Sequence, residues 1–232
     1  MSNLTIHKRA RLGPAFGALD EVLGSAQDCD NLLQPIRKTR GIIFPYTPNV
    51  MTGAIANYGN FHFTHSNYPH YQYQNSQPDA ITITGDFTAQ TNEEARYMLA
   101  VLKFLRAATM IEFGTQAAQT GKAGTPPPVL RFNYMGGHMF NNVPVVVSTF
   151  NYILENDVDY VQVQLPGALS NENLISENSE GIVTIGTDQT TWMPSIMTLT
   201  VMLQVQPNPR DVRDNFSLDD FKSGRMIGKG FV

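Results

Sequence analysis

From Met197 to Gln206 the chain alternates without a break. Met197, Leu199, Val201, Leu203 and Val205 interleave with Thr198, Thr200, Met202, Gln204 and Gln206. Side chains repeat every two residues along a strand and every 3.6 along a helix, so this segment can gather its apolar set on one face only as a strand. Ile81–Thr88 has the same form, with Ile81, Ile83 and Phe87 on one side and Thr82 and Thr84 on the other. Long strands that are apolar on one face demand a sheet with a cover over that face.

Further strands are predicted at Val129–Tyr134, Val143–Leu154 and Tyr160–Leu165, with a small hairpin near Gly181–Ile185 inside a polar connection over 166–191. Ile42–Pro48 reads as a strand entering a proline-punctuated turn. The convincing helix begins at Thr91, where Thr91-Asn92-Glu93-Glu94 forms a capping box and two acids complement the helix N-terminus. Ala95, Met98, Leu99, Leu102 and Leu105 form one stripe, and Val101, Phe104 and Ala108 a second. A helix apolar on two sides is either deeply buried or packed between two surfaces. Gly114 is the expected stop, which places the helix at about residues 91–113. Pro14–Gly24 is expected to form a short helix with Pro14 in its first turn. The resulting plan is an N-terminal arm over 1–40, a mainly β domain over 41–206 and a C-terminal docking arm over 207–232.

Charge is scarce, at 16% of residues, against about 25% in typical globular domains. It is also segregated. Gly41–Ala95 and the stretch 132–209 contain no Lys or Arg but carry eleven acids, among them Asp79, Asp86, Glu155, Asp157 and Asp159. Phosphate binding needs clustered bases, so these windows exclude specific nucleic-acid recognition. Strands use few lysines in any case, and a surface that must not hold DNA is the functional counterpart of that reading. The one cysteine, Cys29, has no internal disulfide partner. Met1–Arg11 lacks the apolar core of a signal peptide, and no apolar run reaches the roughly 20 residues of a membrane span.

Tests for chemistry yield no catalytic, cofactor-binding or metal-binding residues, and the expectation is that the protein is not an enzyme. Cys29 sits between Asp28 and Asp30, which disfavours a thiolate. His62, His65 and His70 have loose ligand spacing but lie among aromatics without a metal-binding frame. Gly114–Lys122 (GTQAAQTGK) has six residues between its glycines instead of four, and Ala123 stands where a magnesium-binding hydroxyl belongs. Residues 57–75 hold six aromatics: Tyr58, Phe61, Phe63, Tyr68, Tyr71 and Tyr73. Stacking on sugar rings is one use for them. Filling a core or a subunit interface is the preferred one.

Several segments read together carry a resemblance. They are GDFTAQTNEEARYMLAVLKFLRAATMIEFG, GTPPPVLRFNYMG, FNNVPVVVSTFNYILENDVDYV, WMPSIMTLTVMLQVQPNPRDVRDNFSLDDF and the final Gly-Lys-Gly-Phe-Val. Together they resemble the baseplate tube-initiator, or tail-tube junction, proteins of contractile-tailed bacteriophages, over roughly residues 41–232. The resemblance implies a tail-tube fold, a β-sandwich or rolled sheet flanked by one helix with extended terminal arms. It implies a structural virion protein, assembled in the host cytoplasm, whose homohexameric ring at the baseplate–tail tube junction templates the tube and lines the DNA ejection channel. The implied partners are other copies of the chain, the baseplate hub protein, the adjacent tail tube ring and the sheath or tape measure protein. No membrane and no cofactor is implied. The alternative from the residues is a β-sandwich module for carbohydrate binding or adhesion.

Overall fold

The computed structural model describes residues 8–15, 18, 22–23, 32–115, 121–163, 175–177, 183–185 and 191–232. Its centre is a seven-stranded antiparallel sheet. In chain order the strands of that sheet are β1 (Arg11–Pro14), β2 (Ile42–Ile43), β3 (Asn49–Met51), β6 (Ile81–Thr88), β7 (Leu130–Tyr134), β8 (Phe140–Leu154) and β13 (Ile196–Val205). Their spatial order is β2-β1-β7-β8-β13-β6-β3. The two alternating segments of the sequence are neighbours, with Thr200 opposite Thr84 and Val201 opposite Ile83. On the other side of β13, Thr200 lies opposite Asn151 and Leu199 opposite Tyr152.

Registry puts the apolar set of each strand on one face. Met197, Leu199, Val201 and Leu203 are buried there with Ile81, Ile83, Phe87, Leu130, Phe132 and Val145. The cover is a helix, α2 (Asn92–Ala108), which follows an α1 of one and a half turns (Gln34–Thr39). Thr91 Oγ1 accepts from Glu94 N, and the Glu94 carboxylate accepts from the Thr91 and Gln90 amides, so the predicted capping box is formed. Helix α2 touches β6 and β8 of the sheet. It also touches α1 and a two-stranded ribbon of β9 (Tyr160–Val163) and β12 (Thr191–Pro194), which flank in the chain a separate pair of β10 (Ile175–Glu177) and β11 (Val183–Ile185). That double contact is the reason for two apolar stripes, and Ala95, Met98, Val101, Leu102, Phe104, Leu105 and Ala108 are all buried.

The helix ends at Ala108, six residues before Gly114. Thr109 accounts for the early stop, because its hydroxyl donates back to the Leu105 and Arg106 carbonyls. The next residues then pair outside the helix, with Glu112 exchanging backbone bonds with Gly124 and Thr125.

The sheet begins before residue 41. Strand β1 lies between β2 and β7, so Arg11–Pro14 of the predicted arm is a sheet strand. Pro14 closes β1 opposite Leu130 and does not open a helix. A strand end tolerates its missing N–H. Farther along the helix expected up to Gly24, Val22 and Leu23 are helical and Val22 N donates to Ala18 O, while the remaining positions lie largely outside the described residues. Gly41 is required where β2 starts: its φ is +133°, and a Cβ there would sit 2.5 Å from the Leu12 carbonyl oxygen.

Strand order and the length of one connection require the sheet to curve. Seven flat strands would hold β2 and β3 about 29 Å apart. Only Phe44–Pro48 joins Ile43 to Asn49, and a fully extended chain of that length spans about 20 Å. The connection crosses the apolar side, where the Phe44 ring packs against Phe87 at 5.3 Å between centroids. Gly85 admits it, since a Cβ there would lie 2.7 Å from that ring.

The C-terminal residues fold back on the same chain. Asn208 and Ser217 cap two short helices, α3 (Pro209–Asn215) and α4 (Leu218–Lys222). Phe216 packs against Phe221 and Phe231, Met226 is buried, and Gly230 lies against Asn142–Pro144 at the start of β8. The sequence-predicted docking arm thus packs in part against the chain's own sheet.

Candidate interaction surfaces

The residues tested for chemistry do not converge. Cys29 lies outside the described residues. His62, His65 and His70 are exposed, and among the described residues no group of three or more His, Cys, Asp or Glu is arranged to hold a metal. Gly114–Lys122 is described only at its ends, where Gly114 and Gly121 both have positive φ. A cleft of about 470 Å³ lies between Arg9, Tyr46, Thr91, Glu93, Glu94 and Tyr97. Its best-placed carboxylate, Glu94, is already engaged by two backbone amides of the helix cap. No described helix is long and apolar enough to cross a membrane.

What the molecule offers instead is surface. The first surface is a hairpin of β4 (Ala54–Phe61) and β5 (His70–Pro78), which prolongs the β3–β6 pair beyond the sheet. Asp79 N donates to Gly53 O at the junction. Among the described residues, no strand lies on either edge of the hairpin. Between Ala54 and Pro78 there is no Asp, Glu, Lys or Arg. A bulge between Asn57 and Tyr58 brings Tyr58 opposite Tyr73, with ring centroids 5.8 Å apart, and Asn60 opposite Tyr71. Tyr73 donates to Ser76 Oγ, and Asn57 Nδ2 to Asn75 Oδ1. Tyr58, Tyr71 and Tyr73 remain 58%, 68% and 54% exposed.

The aromatic run therefore fills no core in the single chain, which corrects half of the preferred reading from sequence. The missing signal was charge. A buried strand and an interface strand share aromatics, and only their surroundings separate them.

The second surface is the uncovered face of the sheet. Thr82, Thr84 and Asp86 of β6 stand beside Thr200, Met202 and Thr198 of β13, and Thr149, Asn151 and Ile153 of β8 come next. None of these residues is buried. Thr84 and Thr200 hydroxyls lie 3.1 Å apart, and Thr198 donates to Asp86. Asp86 is the one formal charge on β3, β6, β8 and β13. Thr198, Thr200 and Gln204, singled out in the sequence as the polar face of the last strand, share this side.

A third surface escaped the sequence reading. Trp192 and Ile196 continue the outward side of β13 through the bend at Ser195, and Tyr160 begins the facing strand β9. Ile153 and Leu154 end β8 beside them. Ile153, Leu154, Tyr160, Trp192 and Ile196 are all exposed, and Glu155, Asp157 and Asp159 occupy the turn between β8 and β9. Periodicity could not find this corner, because each of its strands carries only one or two of the residues.

A basic corner lies by β1 and β2. Arg11 Nη2 donates to the Arg40 carbonyl, with Lys38 in the last turn of α1. Burial, and then the nearby Arg40 guanidinium, lower the pKa of Arg11. Tyr97 closes the other side, its hydroxyl accepting from Ile43 N at 2.7 Å.

No protein-family model and no curated protein sequence matches this chain.

Proposed function

We propose that the protein is a structural ring subunit of a contractile phage tail, acting where the baseplate meets the tail tube, with several copies enclosing a DNA channel and templating the first ring of the tube. The observation that carries this reading is the Ala54–Pro78 hairpin. A lone two-stranded hairpin is marginal in water, and free strand edges in monomers are usually guarded by charge. This one has two open edges, exposed tyrosines and no formal charge, which suits a segment completed by a neighbouring copy.

The uncovered sheet face supports the channel. A conduit for DNA has to let phosphates pass, and every Lys or Arg on its wall would hold them through counterion release. The Thr-rich face of β6, β13 and β8 offers hydroxyls, amides and one carboxylate, with no cation. The hub, the adjacent tube ring and the sheath or tape measure protein are the partners that this role requires.

Negative-stain electron microscopy across a concentration series tests the reading. Annular particles with a central hole are expected, and a monodisperse monomer throughout overturns it. The channel face has its own test. With Thr198→Lys, Thr200→Lys and Gln204→Lys combined, rings still form and DNA ejection from reconstituted particles slows. Unchanged ejection kinetics would remove this face from the channel wall.

A second reading has one specific observation in its favour. Tyr58, Tyr71 and Tyr73 form an exposed aromatic side flanked by Asn and Gln, a composition that stacks on sugar rings and bonds their hydroxyls. Glycan binding by the monomer, lost in Tyr71→Ala or Tyr73→Ala, would favour an adhesion module.

A further inference from the structure

We infer that the acidic, apolar-centred corner at the β8–β9 turn docks the basic corner of a second copy of this chain. The acidic corner has the anatomy of a contact surface. Exposed Trp192, Tyr160, Ile153 and Ile196 form the centre, and Glu155, Asp157 and Asp159 form a charged rim. Tryptophan and tyrosine are the residues that most often dominate binding energy, while rim charges steer and select the partner.

The occupant follows from charge. The acidic corner lies in a stretch without a single Lys or Arg from 132 to 209. Lys38 and Arg40 are exposed, and Arg11 lies beside them, its Nη2 bonded to the Arg40 carbonyl. The ion pairs made by Arg213, Lys222 and Arg225 lie in the C-terminal arm and involve none of Arg11, Lys38, Arg40, Glu155, Asp157 and Asp159. One chain thus carries two exposed corners of opposite sign. A second copy supplies the match for both.

The inference rests on the ring reading in that both require copies to associate, and it adds which surfaces meet. Trp192 is the only tryptophan in the chain, so its fluorescence reports on this corner alone.

The experiment uses the full chain in three variants. They are Asp157→Lys with Asp159→Lys, Lys38→Glu with Arg40→Asp, and all four changes together. Aspartate is chosen at residue 40 because Arg40 has a left-handed φ of 55°, which Asp tolerates better than most residues. Self-association is followed by sedimentation velocity, and burial of Trp192 by its emission maximum.

Each two-residue variant is expected to associate about tenfold more weakly or worse. The four-residue swap is expected to return to near the wild-type strength. Wild-type emission moves to the blue on assembly, and the two-residue variants lose that shift at the same concentration. Assembly indifferent to the reversals, or a swap that fails to restore it, overturns the corner pairing and leaves the ring reading standing. Wild-type protein that stays monomeric at every concentration overturns both.

Discussion

Strands β5 and β6 follow one another in the chain, are similar in length, and pair with antiparallel partners in one continuous ribbon. Yet β6 buries Ile81, Ile83 and Phe87, while every residue of β5 is exposed. Burial of a large apolar side chain is worth about 1.5–3 kcal/mol, so β6 is held by the core of its own molecule. Strand β5 has only its partner β4, a few cross-strand rings and two side-chain bonds. The same ribbon passes from a region packed on the core to one where β5 is exposed along its whole length. Strand character alone therefore does not tell where a fold ends and an assembly surface begins.

The sharpest way to break that contrast is to remove one large side chain from the core. Phe132 is fully buried, with Phe140 5.2 Å away between ring centroids. Phe132→Ala is expected to cost about 3–5 kcal/mol in denaturant unfolding of the isolated chain. A cost near zero would mean that the sheet is no better supported than the hairpin.

A pH series probes the tie between helix and sheet edge. Burial raises the pKa of Tyr97, against the opposing effects of its bonds to Ile43 and Thr39 and of the Arg11 charge. The fold thus prefers the neutral phenol. Its contribution is fully present below about pH 10, the unperturbed value for tyrosine, and is lost as pH rises through the higher folded value. Tyr97→Phe is expected to flatten the alkaline decline in thermal stability while lowering stability at neutral pH by about 1 kcal/mol through the lost bond. An alkaline limb identical to wild type would take Tyr97 out of it.

The smallest expected effect sits in the hairpin. Tyr71→Ala is expected to change the unfolding free energy of the isolated chain by less than about 0.5 kcal/mol, as for surface substitutions generally. Hairpin amides should exchange with solvent quickly in the isolated chain and slowly in assembled particles. A loss above about 2 kcal/mol in the isolated chain would place Tyr71 in a packed cluster and erase the comparison.

The legible parts of the molecule were those where one period dominates. The alternation in Ile81–Thr88 and Met197–Val205 produced strands that turn out to be neighbours, and the Thr91 box fixed the start of α2. The end of α2 was harder to read, because Thr109 stops the helix through a local side-chain bond that leaves no periodic mark. Strand β1 is four residues long and ends in proline, too short for any pattern to rise above its surroundings. The candidate surfaces were half legible. Tyr58, Tyr71 and Tyr73 stood out as a group, but their exposure depends on nothing packing over them. The corner at Trp192 joins residues from four strands, and only registry assembles it.

The short connection Phe44–Pro48 also governs how such a molecule can grow. By drawing β2 and β3 together it leaves the sheet with terminal strands of two and three residues, which offer an incoming strand few backbone groups to pair with. The hairpin strands, of eight and nine residues, offer several times more. Among the described residues, the longest edge strands therefore lie on the projecting hairpin and not at the ends of the sheet.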